Sequence, residues 1–241
     1  MKRLFKNIFI CFLVIMFSVG TCLIGNGYSL YKSVIAETSI EEKVEDLRSS
    51  EDYVQINDIS KDFLNGIVAV EDHRFFSHSG VDFISLGRAI VSNLKAGEIV
   101  MGGSTITQQL AKNLFFTNEQ KLQRKIAELF VVNKIEAEYS KDEILELYVN
   151  AIYYGDGNFG IKSATEGYFE KAPGEINFDE AILLAGLPQA PDYYALSKNY
   201  EGAQERGQTV ISAMIKNKYI SKEKAEQVYQ EKLNRIVEQY K

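Results

Sequence analysis

The chain begins with an uninterrupted apolar stretch, residues 7–25, which read NIFICFLVIMFSVGTCLIG and carry no charge. At about 1.5 Å per residue, a helix of this length spans roughly 28 Å, close to the hydrocarbon thickness of a bilayer. Lys2, Arg3 and Lys6 precede the stretch, and basic residues favour the cytoplasmic side. We therefore expect a short cytoplasmic segment at residues 1–6, a single-pass anchor at 7–25, and the later residues on the extracytoplasmic side.

Two other interpretations of the apolar stretch remain open, a cleaved signal peptide and a lipoprotein signal. The stretch is longer than the usual core of a signal peptide, which favours the anchor. Val34-Ile35-Ala36 is a weak cleavage site, and Thr21 before Cys22 is a poor residue for lipidation. The chain's two cysteines, Cys11 and Cys22, both lie within the stretch, so the sequence beyond it has no cysteine for a disulfide.

Beyond the anchor, apolar residues recur at spacings of three and four, the pattern of helices with one buried face. Residues 26–50 are predicted as a stalk with some helix, and residues 51–241 as one helical domain. Helices are predicted in the segments DISKDFLNGIVAVED, FISLGRAIVSNLKAG, TITQQLAKNLF, QKLQRKIAELFVVNKIEAEY, KDEILELYVNAI and AILLAGLP, near 162–169, around 200–216, and from about 222. The sequence therefore predicts a mainly α fold.

Three terminus signals support these helices. Ser140 to Glu143 and Asn177 to Glu180 have the form of capping boxes, which start helices. Gly97 is placed to end the helix before it. The formal net charge of −6 gives no reason to expect nucleic acid as a partner, so any basic site must be local.

The stretch AVEDHRFFSHSG, residues 69–80, places an acid at the end of an apolar helix. Burial raises the pKa of a carboxyl group, which suits Glu71 to proton transfer near neutral pH. The structural alternative is that Glu71 or Asp72 caps a helix or pairs with Arg74. His73 and His78 lie five residues apart rather than four, which argues against a zinc pair on one helix face.

Two further stretches carry polar side chains suited to an anionic ligand. GGSTITQQLAKNLF contains hydroxyl and amide groups from Ser104 to Gln109, which suit a polyhydroxylated or phosphorylated ligand. The alternative is an N-cap serine with polar residues facing solvent. In RKIAE, Arg124 and Glu128 lie four residues apart on one helix face, either as a surface ion pair or as a functional one. Two acids with nearby cations are what glycosyl transfer with a phosphate leaving group requires.

Together, EDHRFFSHSGVD, GGSTITQQLAKNLF, RKIAELF and KDEILELYVNAIYYG resemble, in order, the motifs of the peptidoglycan glycosyltransferases of family 51. The resemblance covers roughly residues 50–220. It implies a lysozyme-like helical fold with a large lobe and a small membrane-associated lobe. It also implies that lipid II is polymerised at the outer face of a bacterial membrane, with inversion at the sugar and release of polyprenyl pyrophosphate.

The resemblance also implies roles for particular residues. Glu71 is the general base toward the acceptor's 4-hydroxyl, and Glu128 is a second acid that orients basic residues or the substrate. The residues that line the donor and pyrophosphate groove are Arg88, Ser104, Gln108, Lys112, Asn113, Arg124 and Lys125. No tightly bound cofactor and no metal motif are expected, although a divalent cation (Mg or Mn) can assist pyrophosphate departure. The expected partners are lipid II, the growing lipid-linked glycan, the membrane and other cell-wall synthesis proteins, with no nucleic acid.

The match departs from the family pattern at Gln120, where an arginine usually precedes the Arg124-Lys125 pair, and this implies weaker or rearranged pyrophosphate contacts. With the sequence ending at Lys241 and no Ser-x-Asn or Lys-Thr-Gly motif, we expect a monofunctional enzyme. Two alternatives remain, a lysozyme-like enzyme that cleaves glycan and a non-catalytic cell-wall scaffold.

Overall fold

The computed structural model describes residues 2–98, 102–116 and 121–227, and the regular secondary structure of these residues is helical throughout. The α-helices are α1 (Lys2–Glu37), α2 (Ile40–Arg48), α3 (Lys61–Glu71), α4 (Phe83–Ala96), α5 (Ile106–Phe115), α6 (Leu122–Glu138), α7 (Lys141–Ala151), α8 (Ile161–Phe169), α9 (Phe178–Gly186), α10 (Pro191–Tyr194) and α11 (Tyr200–Lys216). Residues 222–227 are also helical. The predicted mainly α fold is confirmed.

Helix α1 is long and apolar enough to cross a membrane, with a mean hydropathy of 2.6 in its most apolar window. Its 36 residues correspond to about 54 Å, well beyond the roughly 30 Å of a hydrocarbon core. The helix therefore continues past the predicted span at residues 7–25 and ends at Glu37. Its last turns lie outside any single bilayer thickness and are available for packing on the rest of the protein.

The C-terminal half of α1 packs on α6 through a small residue and an aromatic cluster. Gly27 is buried, and a Cβ atom at this position would overlap the side chain of Ile126. Tyr28 and Tyr31 both contact Phe130, with ring centroids 5.2 Å and 5.6 Å away. Close approach of this kind needs glycine at the contact, so the two helices meet at a specific point.

Helix α2 lies in the stretch predicted as a stalk and packs directly on the domain. Ile40 and Val44 are buried within the hydrophobic core. Arg48, at the end of α2, forms an ion pair with Glu143 of α7 at 3.2 Å. Helix α2 is therefore held against the domain, as is the C-terminal half of α1 before it.

The core is built from two groups of helices. Helix α3 packs against α9 and α11, and α5 packs against α6 and α7. The fully buried side chains include Phe63 and Ile67 from α3, Leu110 from α5 and Leu147 from α7. Because α3 is packed along its length, its C-terminal residue, Glu71, has a fixed position.

The predicted helix termini are present. Ser140 and Asn177 form capping boxes that start α7 and α9. Gly97 ends α4 in the left-handed conformation at φ 74°, which glycine adopts without strain. The N-cap of α5 is Thr105, so the serine cap considered from the sequence, Ser104, is wrong by one residue.

Helix α4 presents an exposed apolar face. Phe83 and Leu94 are 77% and 78% exposed, and Ile84, Ile90 and Val91 are also exposed. Apolar surfaces of this kind are typical of sites that contact a membrane or another protein.

Candidate active site

Two adjoining cavities lie between α3, α4, α5, α6 and α11. The first, the Glu71 cavity, has a volume of about 200 Å³ and is lined by Glu71 and Arg88 among others. The second, the Glu128 cavity, has a volume of about 450 Å³ and is lined by Lys112 and Glu128 among others. Ser104 lines both cavities, so together they form one groove that brings the two predicted acids to the same surface.

Glu71 forms part of the wall of the first cavity at the C-terminal end of α3. Its side chain is only 11% exposed. Oε2 accepts a hydrogen bond from Gln109 Nε2 at 2.9 Å, and Oε1 lies 3.3 Å from the guanidinium of Arg206 on α11. The ion pair between Glu71 and Arg74, considered from the sequence, is therefore not the arrangement observed.

Burial raises the pKa of Glu71 above its ordinary value, because removal from water disfavours the charged form. The hydrogen bond from Gln109 and the positive charge of Arg206 lower this pKa, while the neighbouring Asp72 raises it. Burial outweighs the two favourable partners. A carboxylate with a raised pKa is a stronger proton acceptor, which is the property that a general base near neutral pH needs.

The other charged residues of the EDHRFFSH stretch hold the loop that follows α3. His78 Nε2 lies 2.9 Å from Asp72 Oδ1, and Arg74 Nε lies 3.0 Å from Asp82 Oδ2. Asp72 also accepts a hydrogen bond from the backbone N–H of Ile106 at 3.1 Å. This network ties the end of α3 to the starts of α4 and α5.

The same loop brings Asp72, His78 and Asp82 close together, with potential metal-ligating atoms within 4.8 Å of one another. These atoms already serve other partners, because Asp82 caps α4 and pairs with Arg74. In the Glu128 cavity, both carboxylate oxygens of Glu128 are bound by cationic side chains. Neither set of donors fits a divalent cation held by the protein itself.

His73, unlike His78, faces the Glu71 cavity. Its Nε2 lies 3.4 Å from Arg88 Nη1. Partial burial, followed by the positive charge of Arg88, lowers the pKa of His73 below its ordinary value. The imidazole is therefore neutral at pH 7 and contributes no positive charge to the cavity.

Glu128 is almost completely buried, with 1% of its side chain exposed. Oε2 accepts a hydrogen bond from Arg124 Nη1 at 2.7 Å, and Oε1 accepts one from Lys125 Nζ. Lys125 Nζ also lies 3.5 Å from Ser104 Oγ. The acid therefore fixes two cations of its own helix at the wall of the cavity, and the pair is not the solvated surface ion pair that the sequence left open.

The other predicted groove residues have different surroundings. Lys112 lines the Glu128 cavity, and across the three described ranges its ammonium group has no ion-pair partner. Gln108 lines the same cavity, but its side chain also accepts a hydrogen bond from the Thr105 N–H at 3.0 Å. Asn113 is exposed on α5 and lines neither cavity. Gln120 lies outside the described residues.

Two hydroxyl groups expected to face a ligand point into the protein instead. Thr105 donates its hydroxyl to the carbonyl oxygen of Gly80 at 2.5 Å. Thr107 donates its hydroxyl to Glu136 Oε1 at 2.5 Å. The prediction of a ligand-facing hydroxyl cluster is therefore wrong for these two residues, because Thr105, the N-cap of α5, and Thr107, in its first turn, are both buried.

Three residues near this site could not be assigned to it from the sequence: Arg206 and Lys216 of α11, and Asn217 at the end of that helix. Arg206 contacts Glu71, and the other two line the Glu71 cavity. One signal was present, because Arg206 lies three residues after Ala203 and four before Val210, both buried. A charged residue on the buried face of a helix needs a partner, but the sequence does not say which acid supplies it.

Comparison with known proteins places this helical domain and its groove in a family. A profile of the Transglycosylase family matches residues 37–215, and the chain belongs to that family. It is 46% identical over 175 residues to penicillin-binding protein 1A of Aquifex aeolicus, covering 73% of this chain and 24% of that protein. It is 36% identical over 244 aligned residues to penicillin-binding protein 1A of Streptococcus oralis, covering 93% of this chain and 38% of that protein.

A third relative, penicillin-binding protein 2D of Bacillus subtilis, is 40% identical over 182 residues, which cover 76% of this chain and 26% of that protein. The chain therefore spans about a quarter to two fifths of the length of the curated relatives it matches. The resemblance to family 51 drawn from the motifs is confirmed at the level of the family.

Proposed function

We propose that this chain polymerises lipid II into the glycan strands of peptidoglycan by inverting glycosyl transfer. One observation carries the proposal: a buried carboxylate with a raised pKa, Glu71, adjoins a cavity lined by three cationic side chains. Those cations are Lys112, Arg124 and Lys125. The first cavity supplies a proton acceptor and the second supplies positive charge, which are the two requirements for moving a sugar from a pyrophosphate to a hydroxyl group.

In the proposed reaction, Glu71 removes the proton from the 4-hydroxyl of the acceptor's terminal GlcNAc. That oxygen attacks the anomeric carbon of the donor from the face opposite the leaving group, and a β-1,4 bond forms. The bond between the anomeric carbon and the pyrophosphate oxygen breaks, and polyprenyl pyrophosphate leaves with the electron pair. The raised pKa of Glu71 favours its protonated form, so proton transfer to this residue is less costly than to an ordinary carboxylate.

The Glu128 cavity would hold the pyrophosphate. Arg124 and Lys125 are fixed by Glu128 before any substrate binds, and preorganised charges of this kind stabilise developing negative charge without further rearrangement. Lys112 adds a cation that forms no ion pair with any acid among the residues that the structure describes. A Mg²⁺ or Mn²⁺ ion that assists departure would be carried by the pyrophosphate oxygens, since the carboxylate of this cavity already binds two cations.

The remaining predicted groove residues would contact the sugars and the diphosphate from the rim. Ser104 lies where the two cavities meet, and Arg88 supplies positive charge to the Glu71 cavity. Gln108 lies in the wall of the Glu128 cavity. Asn113, on the exposed side of α5, would contact only a substrate that extends beyond the groove.

We place the protein in a bacterial cell membrane as a single-pass protein with its catalytic domain outside the cytoplasm. Lys2, Arg3 and Lys6 before the apolar part of α1 support this orientation. The exposed apolar face of α4 lies on the helix that also carries Arg88, which supports a small membrane-associated lobe beside the groove. The partners are then lipid II, the growing lipid-linked glycan and other cell-wall synthesis proteins.

The test is lipid II polymerisation by the detergent-purified full chain, in parallel with two variants. Glu71→Gln removes the proposed base while keeping the hydrogen-bonding shape of the side chain, and we expect product formation to fall by at least about a hundredfold. Glu166→Gln is the matched control, because Glu166 is exposed on α8, and it should polymerise like the parent. Circular dichroism and thermal unfolding establish that both variants are folded.

Three outcomes separate the alternatives. Glycan strands from the parent and from Glu166→Gln, but not from Glu71→Gln, support the proposal. Shortening of purified glycan without polymerisation would point to the glycan-cleaving alternative. Lipid II binding without any product from the parent would overturn the proposed activity and favour the scaffold.

A further inference from the structure

Tyr148 of α7 connects the interior of the domain to Glu71 through one amide side chain. Its ring is fully buried, and its hydroxyl donates a hydrogen bond to Gln109 Oε1 at 3.1 Å. The amide nitrogen at the other end of the same group donates to Glu71 Oε2 at 2.9 Å. The three side chains come from α7, α5 and α3, so the connection is made by tertiary packing.

The direction of the Gln109 amide matters because its two ends have opposite hydrogen-bonding character. The NH₂ group donates and stabilises an ionised carboxylate, whereas the oxygen accepts and would repel one. By occupying the amide oxygen, the Tyr148 hydroxyl leaves the NH₂ group directed at Glu71. Without that hydroxyl, the amide could rotate and present its oxygen to the carboxylate.

We propose that Tyr148 is a positioning residue for the proposed general base, acting through Gln109. The inference rests on the proposed function, since it assigns Tyr148 a role only if Glu71 accepts the proton. Tyr148 itself does not line the groove, so its hydroxyl orients the base without touching the substrate.

Several other charged or titratable groups line the cavity beside Glu71 or contact it, and they set the background for this effect. After α3 these are Asp72 and His73, on α4 and its N-cap Arg88 and Asp82, and on α11 Arg206 and Lys216. Arg206 contacts the other carboxylate oxygen at 3.3 Å. All of these remain in place when only the Tyr148 hydroxyl is removed, so a single-atom change isolates the contribution made through Gln109.

The experiment compares Tyr148→Phe with Tyr154→Phe in the full chain. Both tyrosines are fully buried, but the Tyr154 hydroxyl donates to the carbonyl oxygen of Val149 at 3.2 Å and has no link to Glu71. The two substitutions therefore remove the same atom from similar surroundings. The readouts are kcat, KM for lipid II and the dependence of kcat on pH.

For Tyr148→Phe we expect kcat to fall about tenfold, a part of the usual contribution of a general base, with KM unchanged. Without the Tyr148 hydroxyl, the Gln109 amide is no longer held with its NH₂ group toward Glu71. Weakening of that hydrogen bond raises the pKa of the carboxyl group, so the acidic limb of the pH profile should move to higher pH by about one unit. Tyr154→Phe should leave this limb in place. In a Gln109→Leu background, Tyr148→Phe should have no further effect on kcat or on the limb.

An equal loss in the two variants with the limb unmoved would overturn the inference and assign the Tyr148 hydroxyl to packing alone. A Tyr148→Phe variant indistinguishable from the parent would overturn it as well. Failure of the proposed function gives a different result, because in that case either the parent itself forms no glycan strands or Glu71→Gln retains the activity and the acidic limb of the parent. The two failures are thus distinguished in the same set of assays.

Discussion

The two glutamates of the groove are both buried, yet their surroundings differ in charge. Glu128 is held by two cations, Arg124 and Lys125, and both of its oxygens are occupied by them. Glu71 has one cation, Arg206, at 3.3 Å, and a neutral amide on its other oxygen. One acid is thus fully neutralised, and the other keeps a raised pKa because burial outweighs its partners.

This difference shows that the burial of a carboxylate does not by itself define its role, because the charges around it also matter. A buried carboxylate with two close cations is stabilised in its charged form and is suited to holding those cations in place. A buried carboxylate with weaker compensation accepts a proton more readily. In the proposed reaction, Glu71 takes the proton and Glu128 organises the charge that meets the leaving group.

The largest effect expected from perturbing the Glu128 side comes from Glu128→Gln. The change leaves Arg124 and Lys125 without their shared counter-charge, so they would no longer be held toward the cavity. We expect kcat/KM for lipid II to fall about a hundredfold, since substrate-positioning charges control both binding and catalysis. Removing a partner from a buried ion pair also lowers the free energy of unfolding, here by about 1–3 kcal/mol because the two cations are partly exposed.

The acidic limb of the pH profile should survive in Glu128→Gln, because Glu71 is untouched. Steady-state polymerisation across pH, with thermal unfolding as the folding control, checks both parts of this prediction. Disappearance of the limb in this variant would show that the titrating group is Glu128 rather than Glu71.

A smaller loss of activity is expected from Arg206→Met, which, unlike Glu128→Gln, should move the acidic limb of the pH profile. Arg206 lowers the pKa of Glu71, so its removal should raise that pKa further and move the acidic limb to higher pH. At pH 7 a smaller fraction of the base is then ionised, and kcat should fall about three- to tenfold while recovering at higher pH. Arg206→Lys should restore part of the shift, and a limb that stays in place in Arg206→Met would contradict this account of the Glu71 side.

Helix α1, beyond the predicted anchor, contacts the helix that carries Glu128, through Gly27 against Ile126. A side chain at this contact would overpack the α1–α6 interface, at a cost of about 1–3 kcal/mol, and displace the helix that carries Arg124 and Lys125. We expect Gly27→Val to raise KM for lipid II about threefold with an unchanged acidic limb. Gly25→Val is the matched control, because a Cβ at Gly25 would meet nothing within 4 Å; equal effects in both variants would exclude a role for the contact.

The smallest effect is expected from His73→Ala. This histidine lines the Glu71 cavity beside Arg88, and its pKa is lowered, so it could be mistaken for the base. We expect less than about a twofold change in kcat and no movement of the acidic limb, the size typical of a residue outside the essential interactions. A loss as large as that of Glu71→Gln would transfer the role of base to His73.

The Glu128 side could be predicted from the sequence because its partners are local. Arg124 and Lys125 lie four and three residues before Glu128, and helical geometry alone brings them to one face. The same reasoning predicted the helices and the capping boxes at Ser140 and Asn177. Burial could not be predicted in this way, and burial is what separates this ion cluster from a surface ion pair.

The Glu71 side could not be predicted in the same way because its partners come from distant parts of the chain. Gln109 lies on α5 and Arg206 on α11, and only the packing of these helices around α3 brings them to the carboxylate. The inward direction of Thr105 and Thr107 was missed for a related reason. Their polarity suggested a ligand, whereas the interior offered each hydroxyl an acceptor.

The most direct test of the division between the two acids is equilibrium binding of lipid II to Glu71→Gln and Glu128→Gln, measured side by side with the parent. If Glu71 only accepts the proton, Glu71→Gln should bind within about twofold of the parent while forming no polymer. If Glu128 organises the cations, Glu128→Gln should bind at least about tenfold more weakly. Parent-like binding by Glu128→Gln together with weak binding by Glu71→Gln would contradict the account.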